Sequence, residues 1–267
     1  MAISIENHKK CMKYNVDLTV KSVKKINEKF VLLKLTQEAP LPPMCPGQFV
    51  EIKVENSPNT FLRRPISIND VDKEKNELHL LIAIVGEGTR HLALLKDGDK
   101  VNVMLPLGNG FTLPSDSEKR HLLVGGGVGV APLLFLGRVM YDMGCTPTFL
   151  LGARSRKDLL LIEEFQKYGR VFVTTEDGSE GEKGFVTNHT IFTKEHFDYI
   201  STCGPSPMMK AVARMAYDIG TPCEVSLENK MACGVGACLC CVEKTKDKGN
   251  VCVCTEGPVF NADRLFM

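Results

Sequence analysis

The segment Met231-Ala232-Cys233-Gly234-Val235-Gly236-Ala237-Cys238-Leu239-Cys240-Cys241 constrains this chain more than any other. Cys233, Cys238 and Cys241 follow the order C-x4-C-x2-C, a spacing that holds three corners of a [2Fe–2S] cluster. A fourth thiolate is available from Cys252 or Cys254, across a short polar segment that a hairpin turn would close. Bridging sulfides and four thiolates carry net negative charge, which backbone N–H groups must stabilise. Gly234 and Gly236 let the backbone curl closely around such a group, and Ala232 and Ala237 keep the approach free of bulk. Tetrahedral zinc is the rival occupant of a four-cysteine site. Zinc ribbons, however, usually bring two C-x2-C knuckles, and one such pair is clear here. A centre that moves one electron needs a donor and an acceptor, so the remaining chain should show where electrons enter and leave.

The 267 residues predict two domains, or two with a small appendage, and 43% hydrophobic content is ample for packed cores. No apolar run approaches a membrane span, and Met1 to Lys10 lacks the apolar stretch of a secretory signal. A net charge of +1 without a basic block argues against nucleic acid as a partner. Eleven cysteines would suit a disulfide scaffold in a short secreted chain. Here six of the eleven crowd between Cys233 and Cys254 while the others are scattered, which predicts a reduced, cytoplasmic protein carrying a cofactor.

From Met12 to about Thr112 the sequence is β-rich. Asp17–Val23, Phe30–Leu35 and Gln48–Val54 alternate apolar and polar residues, and further strands are expected at Leu78–Ile84 and Lys100–Met104. Turn residues between them favour an antiparallel barrel over a sandwich. Within this region lies Phe61-Leu62-Arg63-Arg64-Pro65-Ile66-Ser67-Ile68. An arginine on a barrel strand can hold a pyrophosphate with its planar fork of donors, and Ser67 can offer its hydroxyl to a ring nitrogen. Val85-Gly86-Glu87-Gly88-Thr89 then leads into a short helix, Arg90–Leu95, as phosphate-binding turns do.

The middle third alternates strands and helices, the pattern of a parallel sheet. Arg120–Val124 ends in Gly125-Gly126-Gly127-Val128-Gly129-Val130-Ala131-Pro132, and a helix is expected from Pro132 to Met143. Gly125, Gly127 and Gly129 would bring amides to a dinucleotide phosphate, although the G-x-G-x-x-G spacing fails at Val130; a merely tight turn is the alternative. Strands follow at Pro147–Leu151, Arg170–Thr175 and Phe197–Thr202, with helices at Asp158–Tyr168, Val186–Phe192 and up to Tyr217. Cys203-Gly204-Pro205 closes the last strand at a carboxyl end, where ligands of such sheets bind. Cys203 is either a pocket residue or a small buried cap. The acidic loop Glu176-Asp177-Gly178 could meet ribose hydroxyls, while Arg154 and Arg156 keep NADP open beside NAD.

Arg64-Pro65-Ile66-Ser67 followed by Gly88-Thr89 resembles the FAD-binding barrel of the ferredoxin–NADP reductase superfamily, with Ile66 where many members stack a tyrosine. Together with the glycine run before Leu133, the cysteine loop and the closing Cys254-Thr255-Glu256-Gly257-Pro258-Val259-Phe260, the chain resembles the electron-transfer subunit of NAD-linked dihydroorotate dehydrogenase from about Lys13 to its end. The resemblance implies a flavin barrel over 13–112, an NAD-binding α/β domain over 113–222 and a small [2Fe–2S] domain over 223–267. It implies FAD contacts at Arg64, Pro65, Ile66, Ser67, Leu81, Ile82, Ala83, Gly88 and Thr89. It implies Gly204 and Pro205 beside the nicotinamide, with Ser67 and Cys203 at the hydride-transfer point. It assigns the fourth cluster ligand to Cys254, leaving Cys240 and Cys252 as departures from the family pattern. An FMN-containing catalytic subunit would be the partner, in a heterotetramer of two subunits of each kind, and NAD the final acceptor. No dihydroorotate pocket or base is evident, and His8, His79, His91, His121, His189 and His196 are expected to be surface or packing residues. Related reductase subunits of a sulfide dehydrogenase, a hydrogenase or a ferredoxin–NADP transhydrogenase are the alternative, and a zinc-stabilised binding module is a third reading.

Overall fold

The computed structural model describes residues 12–55, 57–115 and 119–265. The expected N-terminal extension, with His8 and Cys11, lies outside the described residues apart from Met12. The chain opens with β1 (Tyr14–Lys25), β2 (Phe30–Thr36), β3 (Phe49–Ile52), β4 (Arg64–Asp72), β5 (Glu77–Ala83), helix α1 (Glu87–Ala93) and β6 (Lys100–Leu107). These six strands close an antiparallel barrel in the order β1-β2-β5-β4-β3-β6. Alternation explains it: Val31, Leu33 and Leu35 point every second residue into a core shared with Leu18, Ile52, Ile68, Leu80 and Val103.

The second layer is a seven-stranded sheet. It uses β7 (His121–Gly126), α2 (Ala131–Asp142), β8 (Thr148–Ala153), α3 (Ile162–Gln166), β9 (Arg170–Thr175), β10 (Glu182–Lys183), α4 (Ile191–Lys194), β11 (Tyr199–Cys203), α5 (Ser206–Asp218) and β12 (Cys223–Ser226). The strand order is β10-β9-β8-β7-β11-β12 and then β15 (Val259–Asn261), with every pair parallel except the last. β7 is buried at every position, as a strand covered on both faces must be. From β7 the chain winds outward through β8 and β9, then returns to place β11 on the other side of β7. The switch point of the sheet therefore lies between β7 and β11.

The C-terminal segment forms the hairpin β13 (Val242–Thr245) and β14 (Gly249–Cys252), the short helix α6 (Val253–Glu256) and β15 (Val259–Asn261). β15 pairs antiparallel with β12, so two strands from beyond residue 222 complete the nucleotide sheet. Phe49 and Leu107 of the barrel, Leu122 and Val124 of the sheet, and Met231, Cys241 and Cys254 share one apolar cluster. Three functional segments thus rest on a common core.

Two expected helices are broken. Asp158–Tyr168 yields a 3-10 turn at Arg156–Asp158 and the short α3, because Leu159 is extended and Leu161 turns left-handed at φ 56°. Val186–Phe192 likewise splits into a 3-10 turn, Val186–Asn188, and α4, with His189 extended between them.

Candidate functional site

The flavin-type motif falls on β4 and α1, and the structure brings its parts together. A Cβ placed on Gly88 would stand 2.8 Å from Arg64 Nε and 3.0 Å from Thr60 Cγ2, so the Arg64 guanidinium lies directly on the helix start. One of its η nitrogens donates to the Leu62 and Arg63 carbonyls at 2.7 and 3.2 Å, and no carboxylate pairs with it among the described residues. The adjacent Arg63 is committed to the barrel: it donates to the backbone carbonyls of Glu51 and Asn102 and to the Asn102 side chain. Thr89 is a builder of the turn. Its hydroxyl accepts from the amides of Val85 and Gly86 at 3.0 and 3.1 Å and donates to the Gly86 carbonyl.

Ser67 pairs with Phe49 in the β3–β4 ladder, and its half-buried hydroxyl makes no hydrogen bond among the described residues. Pro65 and Ile66 are also half-buried, and Ile66 leans on the barrel core. On β5, Ile82 is wholly inside that core, whereas Leu81 is buried in the seam with Phe111, Leu123, Val130 and Cys203. Leu81 and Ile82 can therefore meet a flavin only through their main chain. Ala83 is half-buried at the strand end.

At the switch point, Gly127 opens a 3-10 turn, Gly127–Val130, at φ 56°, with open space where its side chain would be. That turn leads straight into α2, which has Pro132 in its first turn. Gly129 packs against the second loop: a Cβ there would come within 2.5 Å of Gly204 Cα and N. Gly125 instead backs onto Val130 and Leu133, and Pro205 and Met208 close over Gly126. The glycine turn and the Cys203-Gly204-Pro205 loop thus pack against each other at the switch point, while Gly125 faces α2. Cys203 itself is fully buried; burial and the nearby Glu228 carboxylate raise its thiol, only partly offset by a hydrogen bond with Ser226. Glu228, which the sequence reading passed over, follows β12 and reaches solvent, yet the surrounding chain desolvates its carboxyl and raises it.

The acidic and arginine loops also meet, because the Glu176 and Asp177 amides donate to the Ala153 and Arg154 carbonyls. Arg156 pairs with Glu180 at 3.5 Å, and Asp177 is engaged by the amide and hydroxyl of Ser179.

The cysteine loop lies on the barrel at β3 and β6. Gly234 adopts φ 63°, and a Cβ on it would meet Leu107 at 2.9 Å and Glu51 at 3.0 Å. The loop supplies the amide donors that sulfur ligands of a cluster require. Val235 and Cys238 donate to Cys233 Sγ at 3.5 and 3.4 Å, and Cys254 donates to Cys241 Sγ at 3.4 Å. Burial opposes ionisation of Cys233, but these amides prevail and hold its thiol down to about 6. The β13–β14 hairpin returns both candidate fourth ligands. Cys254 is buried; burial and the Cys241 sulfur push its thiol up to about 12. Cys252 is half-buried, donates to the Gly236 carbonyl at 3.9 Å, and is raised by desolvation and then by Cys241. Cys240, next to Cys241, points into solvent. Cys252 feels the sulfurs of Cys241, Cys233 and Cys238, and among the described residues no group of three or more His, Cys, Asp or Glu side chains is placed to hold a metal ion.

Comparison with known proteins agrees with this anatomy. Residues 228–266 match the iron-sulfur cluster binding domain of dihydroorotate dehydrogenase B, and residues 123–214 match the oxidoreductase NAD-binding domain. The dihydroorotate dehydrogenase B (NAD(+)) electron transfer subunit of Bacillus pumilus is 43% identical over 223 residues, covering 82% of this chain and 85% of its own. This chain belongs to the dihydroorotate dehydrogenase B electron transfer subunit family. The family member from Bacillus velezensis is 40% identical over 251 residues, covering 93% of this chain and 97% of its own. Among solved structures, that of an NADH-dependent reduced ferredoxin–NADP oxidoreductase, described for flavin-based electron bifurcation, superposes with a TM-score of 0.81. It is 31% identical over 92% of this chain and 88% of that one. The electron transfer subunit fold, with its barrel, parallel sheet and cysteine segment, is therefore the frame in which each expected site residue sits.

Proposed function

We propose that this chain passes electrons from the FMN of a dihydroorotate dehydrogenase catalytic subunit, through its own [2Fe–2S] cluster and FAD, to NAD+, in pyrimidine biosynthesis. The observation that carries the reading is the seating of the cysteine loop, with its amide-to-sulfur hydrogen bonds, on β3 and β6, beside the strand β4 that carries the flavin motif. When bound, the cluster supplies one-electron transfer, FAD the exchange between one-electron and hydride chemistry, and NAD+ the hydride acceptor.

The residues present suit these groups. Arg64, unpaired and lying on Gly88, binds the FAD pyrophosphate with charge-assisted donors. The free Ser67 hydroxyl orients the reacting face of the flavin ring, Pro65 and Ile66 line it, and the main chain of Leu81 to Ala83 borders it. Thr89 fixes the turn that presents Gly88. Gly127 and Gly129 leave room for a dinucleotide at the mouth of α2. Cys203, Gly204 and Pro205 shape the nicotinamide end, the protonated Cys203 thiol excluding water by its bulk. Cys233, Cys238 and Cys241 hold the cluster with Cys254, whose amide already serves Cys241; Cys252 is occupied by the Gly236 carbonyl.

The partner meets this chain at the loop tip, where Val235, Leu239 and Val242 are exposed beside Cys238. Electron transfer needs closeness, so the cluster belongs at that contact, in a heterotetramer of two subunits of each kind. No helix among the described residues is long and apolar enough to cross a membrane, and we place the complex in the cytoplasm, where thiols stay reduced. The likeness to the ferredoxin–NADP oxidoreductase favours one second reading, a bifurcating reductase subunit. Co-expression with the FMN subunit separates the two: the loaded complex reduces NAD+ with dihydroorotate under the first reading. A complex carrying FAD and cluster that ignores dihydroorotate but exchanges electrons with ferredoxin establishes the second.

A further inference from the structure

Glu51 sits in the middle of β3, paired with Pro65 of the flavin strand on one side and Met104 of β6 on the other. Its side chain is wholly shielded from solvent, and neither carboxylate oxygen has a hydrogen-bond partner among the described residues. Arg63 donates at 3.2 Å to the backbone carbonyl of Glu51, and it and Arg64 favour the carboxylate without a hydrogen bond; burial, with the Cys233 sulfur adding to it, outweighs them and raises the acid to about 7. What covers the carboxylate is the cysteine loop: a Cβ on Gly234 would lie 3.0 Å from Glu51 Cγ and 3.5 Å from Oε1. Burying a carboxylate without a hydrogen-bond partner is costly. The side chain stands between the strand that cradles the flavin and the loop that holds the sulfurs.

We propose that Glu51 is a positioning residue that sets the reduction potential of the cluster, its buried carboxyl placing negative charge against the loop when it is ionised. The inference rests on the reading of Cys233, Cys238, Cys241 and Cys254 as cluster ligands. Charges removed from water interact strongly over short distances, and iron–sulfur potentials respond to net charge and to the solvent exclusion around the sulfurs. A negative charge beside the loop makes the cluster harder to reduce and favours onward transfer to the flavin. Because the charge is buried, added salt should screen its effect little.

The test is a potentiometric titration of the anaerobic complex with its catalytic subunit, followed by EPR at pH 9 so that the acid is ionised. Glu51→Gln is expected to shift the cluster midpoint to more positive potential, and to move the FAD midpoint less. Glu51→Asp, which keeps the charge, stays near the wild-type value. Glu51→Met, apolar and of similar length, gives the same positive shift and serves if the glutamine variant loads poorly. A cluster that titrates at the wild-type potential in the uncharged variants overturns the proposal. So does loss of the cluster in both uncharged variants with retention in Glu51→Asp, which would assign Glu51 to folding. A wild-type chain without any iron–sulfur EPR signal would instead overturn the cluster reading itself.

Discussion

The proposed flavin cradle and the cysteine loop lie on adjoining strands and offer charge to a ligand by opposite means. On β4 a side chain provides the charge: Arg64 is left unpaired while Arg63, its neighbour, is spent on the barrel. In the loop the main chain provides it, through amides aimed at Cys233 and Cys241 and a backbone bent at Gly234. A strand has most of its amides in the ladder and offers a charged group mainly its side chains. A loop has amides to spare, but it needs glycines and covalent ligands to stay folded around the group. The flavin site should therefore lose affinity by degrees when one side chain is removed, and the cluster site should fail outright when one ligand goes.

The largest effect expected is at Cys254. Cys254→Ser should lose the cluster while FAD remains, read as iron per flavin in anaerobically purified protein, and Cys252→Ser should keep both. Loss of the cluster from the Cys252 variant alone would move the fourth ligand two residues upstream. Loss of flavin together with iron would show that the two sites are not separable.

A graded effect is expected at Arg64. Removing a charge-assisted contact costs about 1.5–3 kcal/mol, or roughly ten- to a hundredfold in FAD affinity. Flavin release from Arg64→Ala should show this by fluorescence, with cluster content unchanged. Unaltered FAD affinity would remove Arg64 from the cradle.

The smallest effect is structural. Arg138 on α2 joins the two layers, its Nε 2.7 Å from Asp70 and a second donor 3.0 Å from the Val71 carbonyl. The pair is only partly buried, so Arg138→Ala should lower thermal stability by about 1–2 kcal/mol and leave both chromophores bound. Concurrent loss of FAD would mean that α2 positions the cradle directly.

Much of this was legible in the chain. Alternation located five barrel strands, the glycine run located the entry to α2, and the cysteine spacing located the loop and its return hairpin. What was not legible depends on contacts between distant segments. Leu161 gives no local sign of its left-handed turn, which breaks the helix expected from Asp158. β12 and β15 are too short to announce that they extend the nucleotide sheet, and β15 reaches it only after the excursion through β13 and β14. Glu51 is the instructive case. In an alternating strand a lone carboxylate reads as a solvent-facing residue, yet it is buried, with the loop around Gly234, far downstream, packed against it. Its signal in the sequence is faint: an acid within an apolar strand next to a strand bearing ligand contacts.

The central claim, one chain holding flavin and cluster in electronic contact with a nucleotide, is tested most directly by anaerobic titration of the isolated protein with NADH. Visible absorption should show flavin bleaching, and EPR should show the reduced [2Fe–2S] signal rising as electrons pass backward along the relay. Flavin bleaching with a cluster that stays oxidised by NADH yet is reduced by dithionite, or protein lacking either chromophore, would contradict the account.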